Sequence, residues 1–174
     1  MWQLKLIQFI LAVCLLNSTN VYSQGKPLTS EELQQEKFYK SYYKALKEPE
    51  KVYKISIIAS WDHEKLKEVL NKCKNLQNID LLDCKLSEIP NEIFDLKYLQ
   101  YLFLNHNNIS EIQEEIKNLN YLKLLSIKFN NLKEIPEYLS ELKNLELLML
   151  RGNNIPEADI ENLKLLLPDC KISY

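Results

Sequence analysis

Apolar residues recur at a fixed interval along the middle of the chain. Leu76, Leu99, Leu122 and Leu145 are spaced by 23 residues, and each one opens the same pattern. Further apolar residues follow at the fourth, sixth and eleventh positions, and a cysteine or an asparagine occupies the ninth. Self-similarity of this period predicts a solenoid, in which stacked units bury one continuous core. The four units span residues 76–98, 99–121, 122–144 and 145–155 onward.

The spacing within a unit predicts its local structure. Side chains at the first, fourth and sixth positions point inward from a short strand and from the residues that lead into it. The ninth position turns the chain away from the strand, and an asparagine there can bond backbone groups of its own turn and of the neighbouring turn. We therefore interpret Asn107, Asn130 and Asn153 as structural residues, with Cys84 in the same place in the first unit.

The pattern L-x-x-L-x-L-x-x-N/C-x-L, repeated four times in register, resembles the leucine-rich repeat family. Ile89-Pro90 and Ile135-Pro136 continue it with the half-repeat I-P-x-x-I-x-x-L of bacterial and small-repeat variants, and the resemblance covers about residues 40–174. It suggests a small exported bacterial member. It implies an α/β solenoid with a curved parallel sheet on the concave face and short helices or turns on the convex face. It also implies a binding role, without naming a ligand.

The ends of a solenoid need caps, because the terminal units would otherwise expose core. Residues 24–75 are predicted to form a helical N-terminal cap and a degenerate first repeat. Thr29 and Glu32 match a capping box. Behind them, one amphipathic helix is predicted over 30–47, with Pro49 stopping it, from apolar residues at helical spacing on one face: Phe38, Tyr42, Ala45 and Leu46.

The rest of the N-terminal cap imitates a repeat. Val52, Ile55 and Ile57 fall at the first, fourth and sixth positions of such a unit. Asp62 is placed to cap a second helix over about residues 63–74.

Residues 156–174 are predicted to form the C-terminal cap. A helix is expected to begin near Glu157. Leu167, Cys170 and Ile172 then fall at the first, fourth and sixth positions, which predicts a final edge strand. The whole sheet would then have about six strands, each about 4.8 Å from the next.

Residues 1–23 have the features of an export signal. Leu6–Leu16 is an apolar run, too short to cross a membrane, which needs about 20 residues. Acceptable residues precede a cleavage site predicted after Ser23. The protein is therefore expected to be secreted, or retained in the periplasm or cell envelope, with the export signal as its only membrane segment. A buried N-terminal helix and a lipoprotein anchored at Cys14 are the alternatives.

Composition excludes several kinds of site. The chain has only two glycines and two histidines, too few for a glycine-rich phosphate loop or a His-based metal triad. A net charge of −2 gives no basic footprint for nucleic acid. No metal and no small-molecule cofactor are therefore expected. Cys73, Cys84 and Cys170 are expected to be free buried thiols, because the last two lie several repeats apart.

The informative residues are those that the repeat does not dictate. In the family's fold, the third, fifth, seventh and eighth positions of each unit face the concave surface. Apolar side chains there have no role in folding, yet several occupy adjacent units, with acids toward one end and bases toward the other. The predicted partner-binding residues are Asp80, Tyr101, Phe103, Asn105, His106, Leu124, Lys128, Phe129, Leu147, Met149 and Arg151.

These residues distinguish between three functions. The leading hypothesis is an exported, non-enzymatic module that binds a protein partner through the concave face. The alternative is a structural component of the cell envelope that self-associates through the same face. A catalytic triad of His106, Asp80 and Ser126 could be drawn on adjacent strands, but open strands supply neither the close contacts nor the oxyanion hole that it needs. An enzyme is therefore not expected.

Overall fold

The computed structural model describes residues 26–174. Its seven strands form one sheet, in which neighbouring strands are parallel and their spatial order follows the sequence. This architecture confirms the predicted α/β solenoid. The strands are β1 (Phe38–Tyr39), β2 (Lys54–Ser56), β3 (Asn78–Asp80), β4 (Tyr101–Phe103), β5 (Leu124–Ser126), β6 (Leu147–Met149) and β7 (Lys171–Ser173).

Short helical segments connect consecutive strands, and several neighbouring segments pack on one another. The α-helices are α1 (Ser30–Gln35), α2 (Tyr42–Ala45), α3 (His63–Lys72) and α4 (Glu157–Leu166). The 3-10 turns are Pro49–Lys51, Asn91–Ile93, Glu114–Asn118 and Glu137–Glu141. Within the described residues, no helix has the length and apolar character needed to cross a membrane. The predicted export signal over 1–23, with its cleavage after Ser23 and the alternative lipidation at Cys14, lies outside the described residues.

The core is one continuous apolar cluster that runs from the N-terminal cap to the last strand. The first, fourth and sixth positions of each unit point into it, as the pattern predicts. In the second unit Leu99, Leu102 and Leu104 have 0% of their surface exposed. Each unit therefore buries its leucines against the units on both sides, and no unit has a core of its own.

Asparagine side chains at the ninth position join consecutive coils. The amide oxygen of Asn107 accepts hydrogen bonds from the backbone N–H groups of Cys84 (2.9 Å) and Leu86 (3.1 Å) in the preceding unit. Its amide nitrogen donates to the carbonyl oxygens of Leu81 (2.8 Å) and Leu104 (3.0 Å). One buried side chain therefore satisfies backbone groups of two units, which confirms its structural interpretation.

The other two asparagines repeat this arrangement. The amide oxygen of Asn130 accepts from the backbone N–H of Ile109, and that of Asn153 accepts from Leu132, both at 3.0 Å. Both amide nitrogens donate to backbone carbonyls of their own unit and of the preceding one. The three asparagines form a ladder along the solenoid, here called the asparagine ladder.

The three cysteines that follow the predicted signal are free and buried, as expected. Cys84 stands at the start of the asparagine ladder, where its thiol donates to the carbonyl oxygen of Ile57 at 3.3 Å. Burial raises the pKa of the Cys73 thiol to about 11 and also raises the pKa of the Cys170 thiol. Burial raises the pKa of the Cys84 thiol as well, so all three stay protonated at neutral pH and act as small apolar residues.

The predicted starts of three helices are confirmed. The Thr29 hydroxyl accepts from the Glu32 backbone N–H (3.2 Å), and the Glu32 carboxylate accepts from the Thr29 N–H (2.8 Å), which completes the capping box. The Asp62 carboxylate accepts from the Lys65 N–H (2.9 Å) at the start of α3. Helix α4 begins at Glu157.

The prediction of one amphipathic helix over 30–47 is wrong. Helix α1 ends at Gln35, Glu36 is extended (φ −71°, ψ 142°), and the chain then forms β1. Strand alternation buries Tyr39 (5% exposed) and turns Phe38 outward (41% exposed), the reverse of the predicted helix. The edge of β2 offers unpaired backbone groups, and pairing with them outweighs the local helical preference.

Three details of the caps also differ from the prediction. The sheet has seven strands instead of six because β1 joins it, and Pro49 begins a 3-10 turn instead of ending a helix. At the other end Ile172, and not Cys170, pairs with Leu148 of β6. A turn closed by the hydrogen bond from the Cys170 N–H to the Leu167 carbonyl (3.1 Å) uses these residues before the strand can start.

Removing one member of the asparagine ladder should destabilise the fold. We expect Asn107→Ala to lower the free energy of unfolding by about 1–3 kcal/mol, because it strands buried backbone groups of two units. Asn108→Ala is the matched control, since the neighbouring side chain is exposed. Urea denaturation measures both. Equal stability of the two variants would contradict the structural role of the ladder.

Candidate functional site

One face of the sheet is packed on the core, and the other carries the side chains at the third and fifth positions of each unit. We call this second face, predicted to be concave, the open face. Strand register sets its side chains in two rows. Tyr101, Leu124 and Leu147 are directly paired in one row, and Phe103, Ser126 and Met149 in the other. The predicted adjacency of these residues is therefore present in the structure.

Four apolar residues on strands β4, β5 and β6 form a patch on the open face, here called the apolar patch. It consists of Phe103, Leu124, Leu147 and Met149, all half-buried. Ser126 lies between Phe103 and Met149 and is fully buried. These side chains are in addition to the core leucines, so folding alone does not require them to be apolar.

An N-terminal segment covers the first strands of the open face. The sequence predicted a capping helix here but not this cover. Residues 26–35, here called the arm, place Leu28 and Leu33 in a small apolar cluster with Tyr53. Tyr101 packs against this cluster, and its hydroxyl lies 3.1 Å from the Ser30 hydroxyl. Tyr101 therefore contacts the arm, whereas the apolar patch lies beyond it.

Two glutamine side chains hold the arm by its main chain. The Gln77 amide oxygen accepts from the Leu28 N–H (2.9 Å), and the Gln100 amide nitrogen donates to the Leu28 carbonyl (2.7 Å). The two glutamines also bond each other at 2.9 Å and are almost completely buried. The corresponding residues of the next two units, Lys123 and Glu146, are charged. The Lys123 ammonium still donates to the Ser30 hydroxyl of the arm at 3.4 Å, so the change from amides to charges marks the edge of the cover, and Glu146 is the first of these residues that is exposed.

Two polar residues predicted for the site form hydrogen bonds within the sheet. The Asn105 amide oxygen accepts from the Ser126 hydroxyl (2.7 Å) and from the Lys128 backbone N–H (3.0 Å). The Asp80 carboxylate accepts from the Ser56 hydroxyl at 3.0 Å. Asn105 and Asp80 therefore stiffen the open face, and their remaining polar atoms are what a ligand could contact.

His106 and Phe129 form an exposed stacked pair at the end of the strands. Their ring centroids are 4.5 Å apart, with an interplanar angle of 22°. Both have left-handed backbones, with φ of 56° and 54°. Histidine is found there more often than most residues, but a bulky phenylalanine is unusual. Phe129 is thus held in an unfavourable conformation that leaves its ring 42% exposed.

A shallow hollow of about 520 Å³ lies beside this pair. Ile58, which is 57% exposed, and half-buried Leu82 form part of its lining. Both stand at the seventh position of their units, yet they were not among the predicted site residues. Their apolar character at a position that faces solvent is the signal that would have found them.

Charge divides the site in the predicted direction. Asp80 and Asp83 lie on the side of the first unit, and Lys128 and Arg151 lie on the side of the third and fourth units. Asp83 forms an ion pair with Lys85 at 2.5 Å. Among the described residues, neither Lys128 nor Arg151 has an ion-pair partner. The basic side is thus available to an acidic ligand.

The structure gives the residues of the drawn triad other contacts. The Ser126 hydroxyl donates to Asn105, His106 stacks on Phe129, and Asp80 accepts from Ser56. No nucleophile is therefore paired with a base in this group. Within residues 26–174, no group of His, Cys, Asp and Glu side chains is arranged to hold a metal ion.

Comparison with known proteins identifies what the chain resembles. Residues 51–168 match the family model described as a leucine-rich repeat region. A search of curated proteins finds no significant match. Among solved structures, the chain is similar to a leucine-rich repeat protein of Leptospira interrogans, with 27% identity and a TM-score of 0.58. The match covers 71% of this chain and 36% of that one.

Two proteins of Listeria monocytogenes share the fold at lower identity. One internalin has 23% identity and a TM-score of 0.54, with 70% of this chain and 33% of that chain covered. Internalin C2 has 22% identity and a TM-score of 0.58, with 70% and 50% covered. The chain therefore spans a third to a half of the length of these structures, and the likeness extends to the fold.

Gly152 supports the stacked pair, and replacing it should displace the pair. A Cβ atom at this position would lie 2.3 Å from Phe129 Cδ1, and the backbone has φ +78°. We expect Gly152→Ala to lose about 1–2 kcal/mol of stability from the left-handed backbone alone and to push the Phe129 ring off His106. Denaturation and the NMR shifts of the His106 ring protons measure the two effects.

The double variant Gly152→Ala, Phe129→Ala separates the two causes. It should keep the backbone penalty and lose the steric one. A Gly152→Ala protein with wild-type stability and unchanged His106 shifts would show that Phe129 does not rest on Gly152.

Proposed function

Because the chain belongs to the leucine-rich repeat family, we propose that it is an exported, non-enzymatic protein that binds a protein partner through the open face of β4, β5 and β6. Domains with this fold commonly mediate protein–protein interactions. The proposal for this chain specifies the face, the residues and the location of the protein.

The apolar patch is the observation that carries the proposal. Phe103, Leu124, Leu147 and Met149 lie on three adjacent strands, outside the core and beyond the arm. Solvent-facing residues that are apolar in consecutive units, at positions free to vary, point to a surface that is buried in a complex. His106 and Phe129 extend this surface along the edge where the strands end.

The size of the patch sets the expected affinity. If binding buries about 400 Å² of apolar surface, the gross gain is ~10 kcal/mol. Association opposes this with about 4–15 kcal/mol of lost freedom and ordering. The patch alone therefore gives at most about 6 kcal/mol, an affinity of tens of micromolar. Polar contacts to Lys128 and Arg151 would raise it toward micromolar for an acidic partner.

The contacts of the polar residues support a non-enzymatic role. Ser126 is buried and bonded to Asn105, so it is not available as a nucleophile. Asp80 is bonded to Ser56, and His106 is stacked. These residues support and border a binding surface.

Export is proposed from residues 1–23 of the sequence. The apolar run Leu6–Leu16 and the residues before the cleavage site support a signal peptide. The protein would then be secreted or retained in the periplasm or envelope. Mass spectrometry of the protein from the producing cell should give an N-terminus at Gln24. An N-terminus at Met1, or a lipidated Cys14, would contradict this part of the proposal.

Charge insertion into the apolar patch should abolish partner binding. We expect a crosslinked pull-down with wild-type protein, from the envelope and medium of the native organism, to capture a protein that the variant Phe103→Glu, Met149→Glu does not capture. The matched control is Leu165→Glu, which makes the same kind of change at an 81% exposed leucine on α4. Circular dichroism checks that all three proteins are folded.

The outcomes separate the proposed function from its alternative. Loss of the partner in the patch variant alone supports the proposal. Capture of other copies of the same protein alone, with concentration-dependent sedimentation that the patch variant lacks, would favour the self-associating envelope component. Equal capture by wild type and patch variant would place the binding surface elsewhere.

A further inference from the structure

The N-terminal cap carries a concentration of basic residues that the solenoid does not share. Between residues 37 and 47 the chain has four lysines and no acid, although its net charge is −2. These lysines are Lys37, Lys40, Lys44 and Lys47. Their spacing of three, four and three residues would suit one helix, but the segment folds as strand β1 followed by helix α2. The strand and the helix therefore determine where the four ammonium groups lie.

All four lysines line one hollow of about 710 Å³, here called the lysine hollow. The remaining lining is Phe38, Tyr39, Ser41 and Glu48. This volume is in the range of sites that bind small molecules. The hollow lies at the first strand of the sheet, whereas the apolar patch lies on the fourth to sixth strands. It is a separate surface, and its role does not depend on the partner proposed above.

Three of the four lysines have no polar partner within residues 26–174. Among the described residues, Lys40, Lys44 and Lys47 make no side-chain hydrogen bond or ion pair. Seven other lysines of the described chain do form ion pairs with acids. Like charges around one hollow repel each other, so folding gives no reason to group these three.

The one acid in the lysine hollow is already neutralised. The Glu48 carboxylate accepts from the Lys51 ammonium at 2.9 Å and from the Tyr39 hydroxyl at 3.5 Å. Lys37 lies over the Tyr39 ring, 4.5 Å from its centroid. The side chain of Ser41 makes no capping hydrogen bond to α2, so its hydroxyl is free to donate to a ligand. The hollow thus presents cations and a hydroxyl to whatever enters it.

We propose that the lysine hollow binds several closely spaced phosphate groups. Four cations around one small hollow favour a dense negative charge. A terminal phosphate carries up to two charges, and phosphodiesters on neighbouring headgroups carry one each but lie close together. Lysine ammonium groups are compact charges suited to phosphate oxygens without a fixed geometry. The phosphates can belong to a soluble oligophosphate or to lipid headgroups, and the chemistry at the lysines is the same.

Calorimetric titration with sodium tripolyphosphate tests the site directly. The variant Lys40→Gln, Lys44→Gln, Lys47→Gln should lose at least tenfold in affinity, and added salt should weaken wild-type binding. The matched control is Lys97→Gln, Lys133→Gln, Lys171→Gln, which removes the same charge elsewhere and should stay within about twofold of wild type. The proposal is overturned if tripolyphosphate does not bind the wild-type protein. It is also overturned if both variants lose affinity for tripolyphosphate to the same extent.

A second measurement on the wild-type protein does not depend on any variant. Tripolyphosphate should slow acylation of Lys40, Lys44 and Lys47 by an amine-reactive reagent, with Lys97 and Lys133 unchanged, as read by mass spectrometry. Uniform acylation rates with and without the probe would overturn the site.

Vesicles identify the source of the phosphates. Sedimentation with phosphatidylglycerol vesicles, lost in the Lys40, Lys44, Lys47 variant and absent with phosphatidylcholine, assigns them to a lipid surface. Tripolyphosphate binding without vesicle binding assigns them to a soluble ligand.

Discussion

The turn that follows each strand is the constraint on which the rest of the structure depends. There the chain leaves the sheet while still surrounded by core, so its backbone N–H and carbonyl groups cannot reach water. Asn107 satisfies such groups in two consecutive units at once. It can do so because it stands 23 residues after Cys84, from whose backbone N–H it accepts a hydrogen bond, and Asn130 repeats the arrangement 23 residues later. The period of the sequence is therefore a hydrogen-bonding requirement as well as a packing one.

The same register decides where ligand-binding residues can lie. Since every unit starts its strand at the same position, one substitution in a unit falls beside its counterparts in the next, as Leu124 does beside Leu147. Surface chemistry can thus change while the core stays fixed. At one end of the open face, Gln77 and Gln100 hold the arm by hydrogen bonds to Leu28. At the other end, the same strand positions carry the apolar patch, which the arm does not cover.

Sequence reasoning succeeded where a residue repeats and failed where it does not. The core leucines, the role of Asn107 and the rows of the open face followed from the period, because four copies of one pattern admit a single register. The prediction at Phe38 and Tyr39 failed because strand pairing with β2 overrode local helical spacing. The arm was missed as a cover because the contacts of Leu28 lie with residues 49 and 72 positions away. Contacts of that separation leave no periodic trace in the sequence.

The central claim is that the partner sits on the apolar patch. A photo-crosslinking amino acid at position 124, within the patch, tests it most directly, with the same amino acid at position 165 on α4 as the reference. Both positions carry leucine, and the second is 81% exposed. The account predicts a crosslinked partner at position 124 and none at position 165. A partner crosslinked at 165 and not at 124, or equally at both, would contradict it.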